Sequence, residues 1–434
     1  MTKTTNIGFD EAALARLPAP GFLGDLRRQA LEEWRALPVP SQQTEEWRYT
    51  DLEDFDANAF ASFVEGGGPE AMNEHGVLQA AAVVGERSGM QVQRNSEVIS
   101  TQLAAGLADR GVIFCDLDLA AERHPDLVEK HLHQLVETGR TTFTALHAAF
   151  RSGGTFLYVP PGVELSTPLQ TLTYLDADGA AVFPRTLLIA EEGAEVTFID
   201  RYASPALRGF SDAIVEIFAG PGSRVRYVNL QDYGDGVTHL AVQRMRLSRD
   251  ADVKALGVAF GGSLARTEVE SVLAEDGASS ELLGVYFGDG EQHIDHRSIQ
   301  DHVGSRTSSD LLYKGAMRDR SNAIYTGTVI IEHGAHRCDA YQTNRNILLS
   351  DHAKAHSVPN LEILTNDPTR CGHAASVGPV SEDEVFYLQS RGIPADEATR
   401  LIVRGFFAEV LDRIDISEVR DGVEAAIEAE LARA

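Results

Sequence analysis

The spacing of apolar positions changes period twice along the chain. Leu23, Leu26, Ala30, Trp34 and Leu37 recur at 3-4-4-3 and share one helix face, which Pro38 and Pro40 end. The first zone, 1–145, reads as mainly helical with polar breaks. It carries a surface loop at Gly66-Gly67-Gly68-Pro69 and a short strand at Gly111-Val112-Ile113-Phe114-Cys115. From about 146 the period drops to two. Val225 and Tyr227 alternate with Arg224 and Arg226, and Met245 and Leu247 with Arg244 and Arg246, which puts charge on one strand face and apolar side chains on the other. After 379 the helical period returns. Ser381 and Glu384 have the spacing of a capping box, and Gly392 stops that helix ahead of Pro394. Ile402, Phe406, Val410 and Ile414 form a second stripe widened by Phe407 and Leu411; Val419, Val423, Ile427 and Leu431 form a third.

Turn residues in the middle zone, 146–378, come back at a nearly fixed interval. Gly193, Gly222, Ala251, Gly277 and Gly304 are separated by 29, 29, 26 and 27 residues. A small-residue turn at that interval, with strands and no helices between, predicts stacked coils of a parallel β-helix. A two-sheet sandwich with coincidental spacing is the alternative. The helical ends would then cap the solenoid, and the excess apolar surface of the 379–434 tail suggests either that cover or a docking face for a partner.

The chain has 434 residues, 65 acidic against 38 basic, and a formal net charge of -27. Such a surface repels phosphate, so it speaks against nucleic acid and against anionic membrane. Only Lys3, Lys130, Lys254, Lys314 and Lys354 are lysines, a bias that fits either adaptation to high salt or Arg-rich codon usage. Three separated cysteines (Cys115, Cys338, Cys371), a polar N-terminus and no apolar run of spanning length point to a reducing cytoplasm.

No phosphate loop, G-x-S-x-G elbow, H-E-x-x-H or C-x-x-C occurs. Histidine is the unusual residue. His293, His296, His302, His333, His336, His352, His356 and His373 account for eight of the 14, and Cys338 and Cys371 lie among them. Most of these read as polar residues of solenoid turns. Two sets carry more chemistry: His333-x-x-His336-x-Cys338, and Cys371-Gly372-His373. In a strand, residues at i and i+2 share a face about 6–7 Å apart. A thiolate and an imidazole are two ligands where a structural zinc wants four. The set therefore suggests a site completed across an interface, or one that holds metal briefly.

The run Asp339-Ala340-Tyr341-Gln342-Thr343-Asn344-Arg345-Asn346-Ile347-Leu348-Leu349-Ser350 resembles a stretch of the SufB/SufD family. The likeness continues through Pro359-Asn360-Leu361-Glu362-Ile363, Cys371-Gly372-His373, Phe386-Tyr387-Leu388-Gln389-Ser390-Arg391-Gly392-Ile393 and Gly405-Phe406-Phe407-Ala408-Glu409. Upstream, Glu45-Glu46-Trp47-Arg48-Tyr49-Thr50 looks like an N-terminal motif of the same family. Cys371-Gly372-His373 places the chain nearer the SufD branch, with a SufB-like paralogue as the alternative. Ala374 departs from the family's Gly after that His, and His333, His336, Cys338, His352 and His356 lie outside its pattern.

The resemblance implies a right-handed parallel β-helix flanked by helical N- and C-terminal regions. It implies a non-enzymatic scaffold subunit of an iron–sulfur assembly complex, paired with a SufB-like subunit and, through the 379–434 helices, with a SufC-like ATPase. Whether the chain forms a homodimer when alone is left open by the resemblance. Cys371 and His373 would be ligands for transient iron or cluster at the partner interface, with no cofactor bound permanently. A solenoid polysaccharide lyase, and a structural metal-binder using the histidines, are the rivals from other classes.

Overall fold

A computed structural model describes residues 8–83 and 85–432. The middle of the chain is a parallel β-solenoid of about eight turns. Each turn contributes one strand to each of two facing sheets. The first sheet runs through Glu195–Ala203, Arg224–Asp232, Asp252–Ala259, Ser279–Gly288, Ser308–Met317, Asp339–Leu348 and Arg370–Pro379. The second runs through Arg185–Ala190, Gly209–Ala219, Val237–Leu247, Leu264–Leu273, His293–His302, Asn322–Ile331 and Lys354–Ile363. The expected parallel β-helix is thus the fold.

The alternation read from sequence sets the faces. Val225, Tyr227, Met245 and Leu247 are buried in one continuous core between the sheets, while Arg224 and Arg246 face outward. Outward charges pair between neighbouring coils, as Arg226 does with Asp252 at 2.6 Å. The coils are also stitched at one corner. The amides of Gly193, Gly222, Asp250, Gly277, Arg306 and Arg337 each donate to a carbonyl of the next turn, at 2.7–3.1 Å. All six have φ between 56° and 77°, the left-handed region. The interval read from the sequence predicts two of these turns at Ala251 and Gly304; the left-handed position falls on Asp250 and Arg306. Ala251 is buried beside the turn, and Gly304 packs so closely on Glu275 that a Cβ would lie 2.2 Å from its carbonyl carbon.

The two long C-terminal helices do not cap an end of the solenoid. Ala395–Leu411 and Ser417–Ala432 lie flat on the outer face of the first sheet. Val403, Phe407, Val410, Val423 and Ile427 pack there on Ile199, Leu256, Val285, Phe287 and Leu312. Lys314 fixes them, with Nζ 2.7 Å from the Phe406 carbonyl and 2.6 Å from Glu409. Ser381 caps Glu382–Ser390 by accepting from the Glu384 amide, and Gly392 follows at φ 88°.

The described residues before 146 form helices and three strands. Leu23–Ala36 ends at Leu37 ahead of Pro38, as its spacing predicts. Gly89–Arg94 and Glu97–Leu103 form a hairpin whose first strand extends the first sheet. Ile113–Asp116 pairs antiparallel with Thr155–Val159 and closes the second sheet. Gly66 is not part of a free loop: it is buried, and a Cβ there would meet the Arg94 carbonyl at 2.8 Å. The motif 45–50 lies on the outer face of the second sheet. Trp47 is buried under the Arg266 guanidinium at 4.0 Å, and Thr50 donates to Asp295 at 2.6 Å.

Candidate metal centre at the open end of the solenoid

The last turn consists of Lys354–Ile363 and Arg370–Pro379, each paired on one side only. Every residue of both strands is at least partly exposed. Ile363, Leu364 and Val377 stand out as large apolar side chains in water. Nothing in the composition of these strands forbids a further coil, so the fold stops at an unfinished edge.

Cys371 and His373 lie on this edge. Cys371 is in register with Ala340, and His373 with Gln342. Ala340 and Gln342 are fully buried between the sheets, and Gln342 Oε1 accepts from Tyr325 Oη of the opposite sheet at 3.1 Å. Parallel register keeps columns aligned, so Cys371 and His373 face the interior at its mouth. Cys371 is half-buried and packs on the cluster that holds Cys338, Ile331 and Val329. Burial pushes its thiol above the usual value, and the neighbouring Cys338 adds to this. A thiol binds a metal ion as thiolate, so a neutral one must give up its proton first. His373 is exposed. The intervening Gly372 faces the other way, where a Cβ would come within 3.0 Å of the Tyr341 ring. That ring is also covered by Arg370 at 5.2 Å, and Arg370 in turn donates to Asp339 at 2.8 Å.

The other histidines do not join them. His293 bonds Thr50 at 3.1 Å and Asn322 at 3.0 Å on the outer face. His302 is buried between Thr307 and Ser309, at 2.7 and 2.8 Å. His296 is buried against the Tyr286 and Tyr313 rings, and burial lowers its pKa to about 4. His356 stacks on Tyr49 at 6.3 Å. His333, His336 and His352 are exposed. The expectation that His336 and Cys338 share a strand face fails, because Arg337 takes φ 57° between them. His336 is left in solvent, and Cys338 turns inward to accept from Thr307 at 3.2 Å. Among the described residues no three His, Cys, Asp or Glu side chains come together as a metal site. Cys371 and His373 are therefore two donors on an open edge, short of a complete shell.

The floor beneath them has no signature in the sequence. Gln342, Asn344 and Asn346 alternate along one strand and turn inward, where Asn344 donates to Tyr286 Oη at 2.9 Å and Tyr286 donates to Asn346 at 2.6 Å. The period-two spacing was visible, but amides on an inward face do not announce a core.

The family profile described as SUF system FeS cluster assembly, SufBD core domain, matches residues 173–406, and that of the SufBD protein N-terminal region matches 11–171. The chain belongs to the SufB/SufD family. The iron-sulfur cluster assembly protein SufD of Bacillus subtilis is 33% identical over 441 residues, covering 99% of each chain. A SufBD family protein of Staphylococcus saprophyticus is 29% identical over 90% of this chain and 81% of its own, as is one of Staphylococcus aureus strain MRSA252. SufB/SufD membership ties the fold to iron–sulfur cluster assembly. The run 339–350 uses both of its faces: its inward residues build the polar floor of the last turns, and its outward ones meet the C-terminal helices, as where Arg345 reaches Glu409 at 3.4 Å.

Proposed function

We propose that the chain is a non-enzymatic, cytoplasmic scaffold subunit of an iron–sulfur cluster assembly complex, joined through its open solenoid end to a SufB-like subunit. The observation that carries this reading is the unfinished last turn. It presents two unpaired strand edges, three exposed apolar side chains and an incomplete pair of metal donors in one place. A second solenoid end would satisfy the edges by strand addition, cover the apolar side chains and supply the missing ligands. Iron or nascent cluster is then cargo, held by the Cys371 thiolate and the more easily displaced His373 imidazole.

A SufC-like ATPase fits the C-terminal helices. Glu382–Ser390 has no buried residue and exposes Phe386 (72%) and Tyr387 (57%), an apolar surface that folding alone leaves wet. Nucleotide-driven movement of that ATPase would reach the site through the helix, which continues directly from the strand bearing Cys371 and His373.

Co-expression with SufB-like and SufC-like subunits tests the reading. His373→Ala is exposed and should leave the purified complex intact while lowering its iron and sulfide content severalfold. Unchanged iron and sulfide would remove His373 from the site, and a chain that pulls down neither partner would overturn the scaffold role.

A further inference from the structure

A cavity of about 390 Å³ lies between the N-terminal segments and the outer face of the second sheet, remote in sequence from Cys371 and His373. One wall is Pro38 and Pro40, just past the helix Leu23–Ala36; the other is the start of the helix Thr142–Phe150. The floor carries Asp212, Leu240, Val242 and Glu268 on three adjacent strands.

The charges at this cavity do not balance locally. Arg140 is engaged by Glu268. Arg266 stacks on Trp47, donates to the Glu46 carbonyl at 2.7 Å and lies 3.6 Å from Asp295. Asp212 is left over. It is 2% exposed, and among the described residues its Oδ2 has no hydrogen-bond partner and no cation pairs with it. Burial pushes its carboxyl well above the usual range with nothing to offset it. A buried carboxyl without a partner is costly, and a chain keeps one at a cavity wall when something else supplies the counter-charge. An anion finds no free cation here, because Arg140 is held by Glu268 and Arg266 by Asp295 and the Glu46 carbonyl. A bare metal ion would find one carboxylate where it needs several. The volume and the proline and aliphatic walls suit a hydrocarbon body behind a charged head.

We propose that this cavity binds a small primary ammonium compound, with its head on Asp212 and its hydrocarbon against Pro38, Leu240 and Val242.

Calorimetric titration of the full chain tests this with benzylamine, which is cationic at neutral pH, against benzyl alcohol, its neutral counterpart of similar shape. Saturable binding of benzylamine at one per chain is expected, about tenfold or more tighter than the alcohol. Asp212→Asn should abolish that preference. Val242→Trp, which fills the floor and leaves Asp212 in place, should abolish binding itself and serves if the first variant does not fold. Equal binding of both probes, a preference retained in Asp212→Asn, binding unaffected by Val242→Trp, or no saturable heat with benzylamine would each overturn the assignment.

Discussion

Replacing Val377 with aspartate separates an interface role from a packing role. Val377 sits on the last strand, in register with Asn346, and is 39% exposed in the free chain. Full burial of a valine is worth about 1.5–3 kcal/mol, so covering its exposed part against a partner contributes about 1 kcal/mol. A carboxylate trapped there without a counter-charge adds about 2–5 kcal/mol. Val377→Asp should therefore weaken association with a SufB-like subunit by about 10²–10⁴-fold. The part already covered in the free chain carries the rest, so its own stability should fall by about 1–2 kcal/mol, a melting shift of only about 1–2 °C in a chain of this size. Sedimentation or calorimetric titration reads the first quantity and a thermal melt of the isolated chain reads the second. Wild-type affinity in the variant would refute the open end as the docking surface. A large drop in melting temperature would show that Val377 belongs to the fold and not to a contact.

Two further outcomes concern the body of the molecule. Glu216 is fully buried, pairs with Arg185 and accepts from the amides of His133, Leu135 and Val136 at 2.6–2.9 Å, so it ties the segment 133–136 to the second sheet. Glu216→Gln strands the equally buried Arg185 and should cost about 3–5 kcal/mol, lowering the melting temperature by about 4 °C for a chain of this size; a shift under about 1 °C would refute the clamp. Asp116 caps the helix Leu117–Arg123, and burial, helped by Asp118, raises its carboxyl to about 6. The folded state then holds this proton more tightly than the unfolded chain. Its presence favours folding below the unfolded value of about 3.9, and that advantage is lost as pH rises through 6. Asp116→Asn keeps the cap and should gain about 2 kcal/mol at pH 7 over wild type and nothing at pH 3.5; equal gains at both pH values would refute the cause.

What the sequence made legible was whatever depends on period. Val225 with Tyr227 and Met245 with Leu247 gave their strand faces directly, and Val419, Val423, Ile427 and Leu431 gave theirs on the last helix. Cys371 and His373 were assigned one face by the same rule. Three kinds of feature escaped. Gly89–Arg94 is buried throughout although it carries Gln91, Gln93 and Arg94, because these find partners in Gly154, Asn95, Glu74 and Asp176 that no local pattern could name. Turn positions slipped where Asp250 and Arg306 adopt a conformation usually left to glycine. The open end was also hidden, since Ala355, Ser357 and Ala375 look like the inner residues of any coil. Only the absence of a following coil makes them terminal.

The C-terminal helices lie across the first sheet from Ile199 to Ile347. In a bare solenoid each turn answers only to its neighbours, and unravelling proceeds one turn at a time. A helix laid across many turns changes that rule, because no covered turn can open without stripping the helix from all of them. The covered turns become a single cooperative block. Lys354–Ile363 and Arg370–Pro379 lie beyond the strap, so the turn that carries Cys371 and His373 is the one the architecture leaves free to open by itself. Amide exchange should divide the molecule at that boundary, fast in the last turn and uniformly slow in the block behind it.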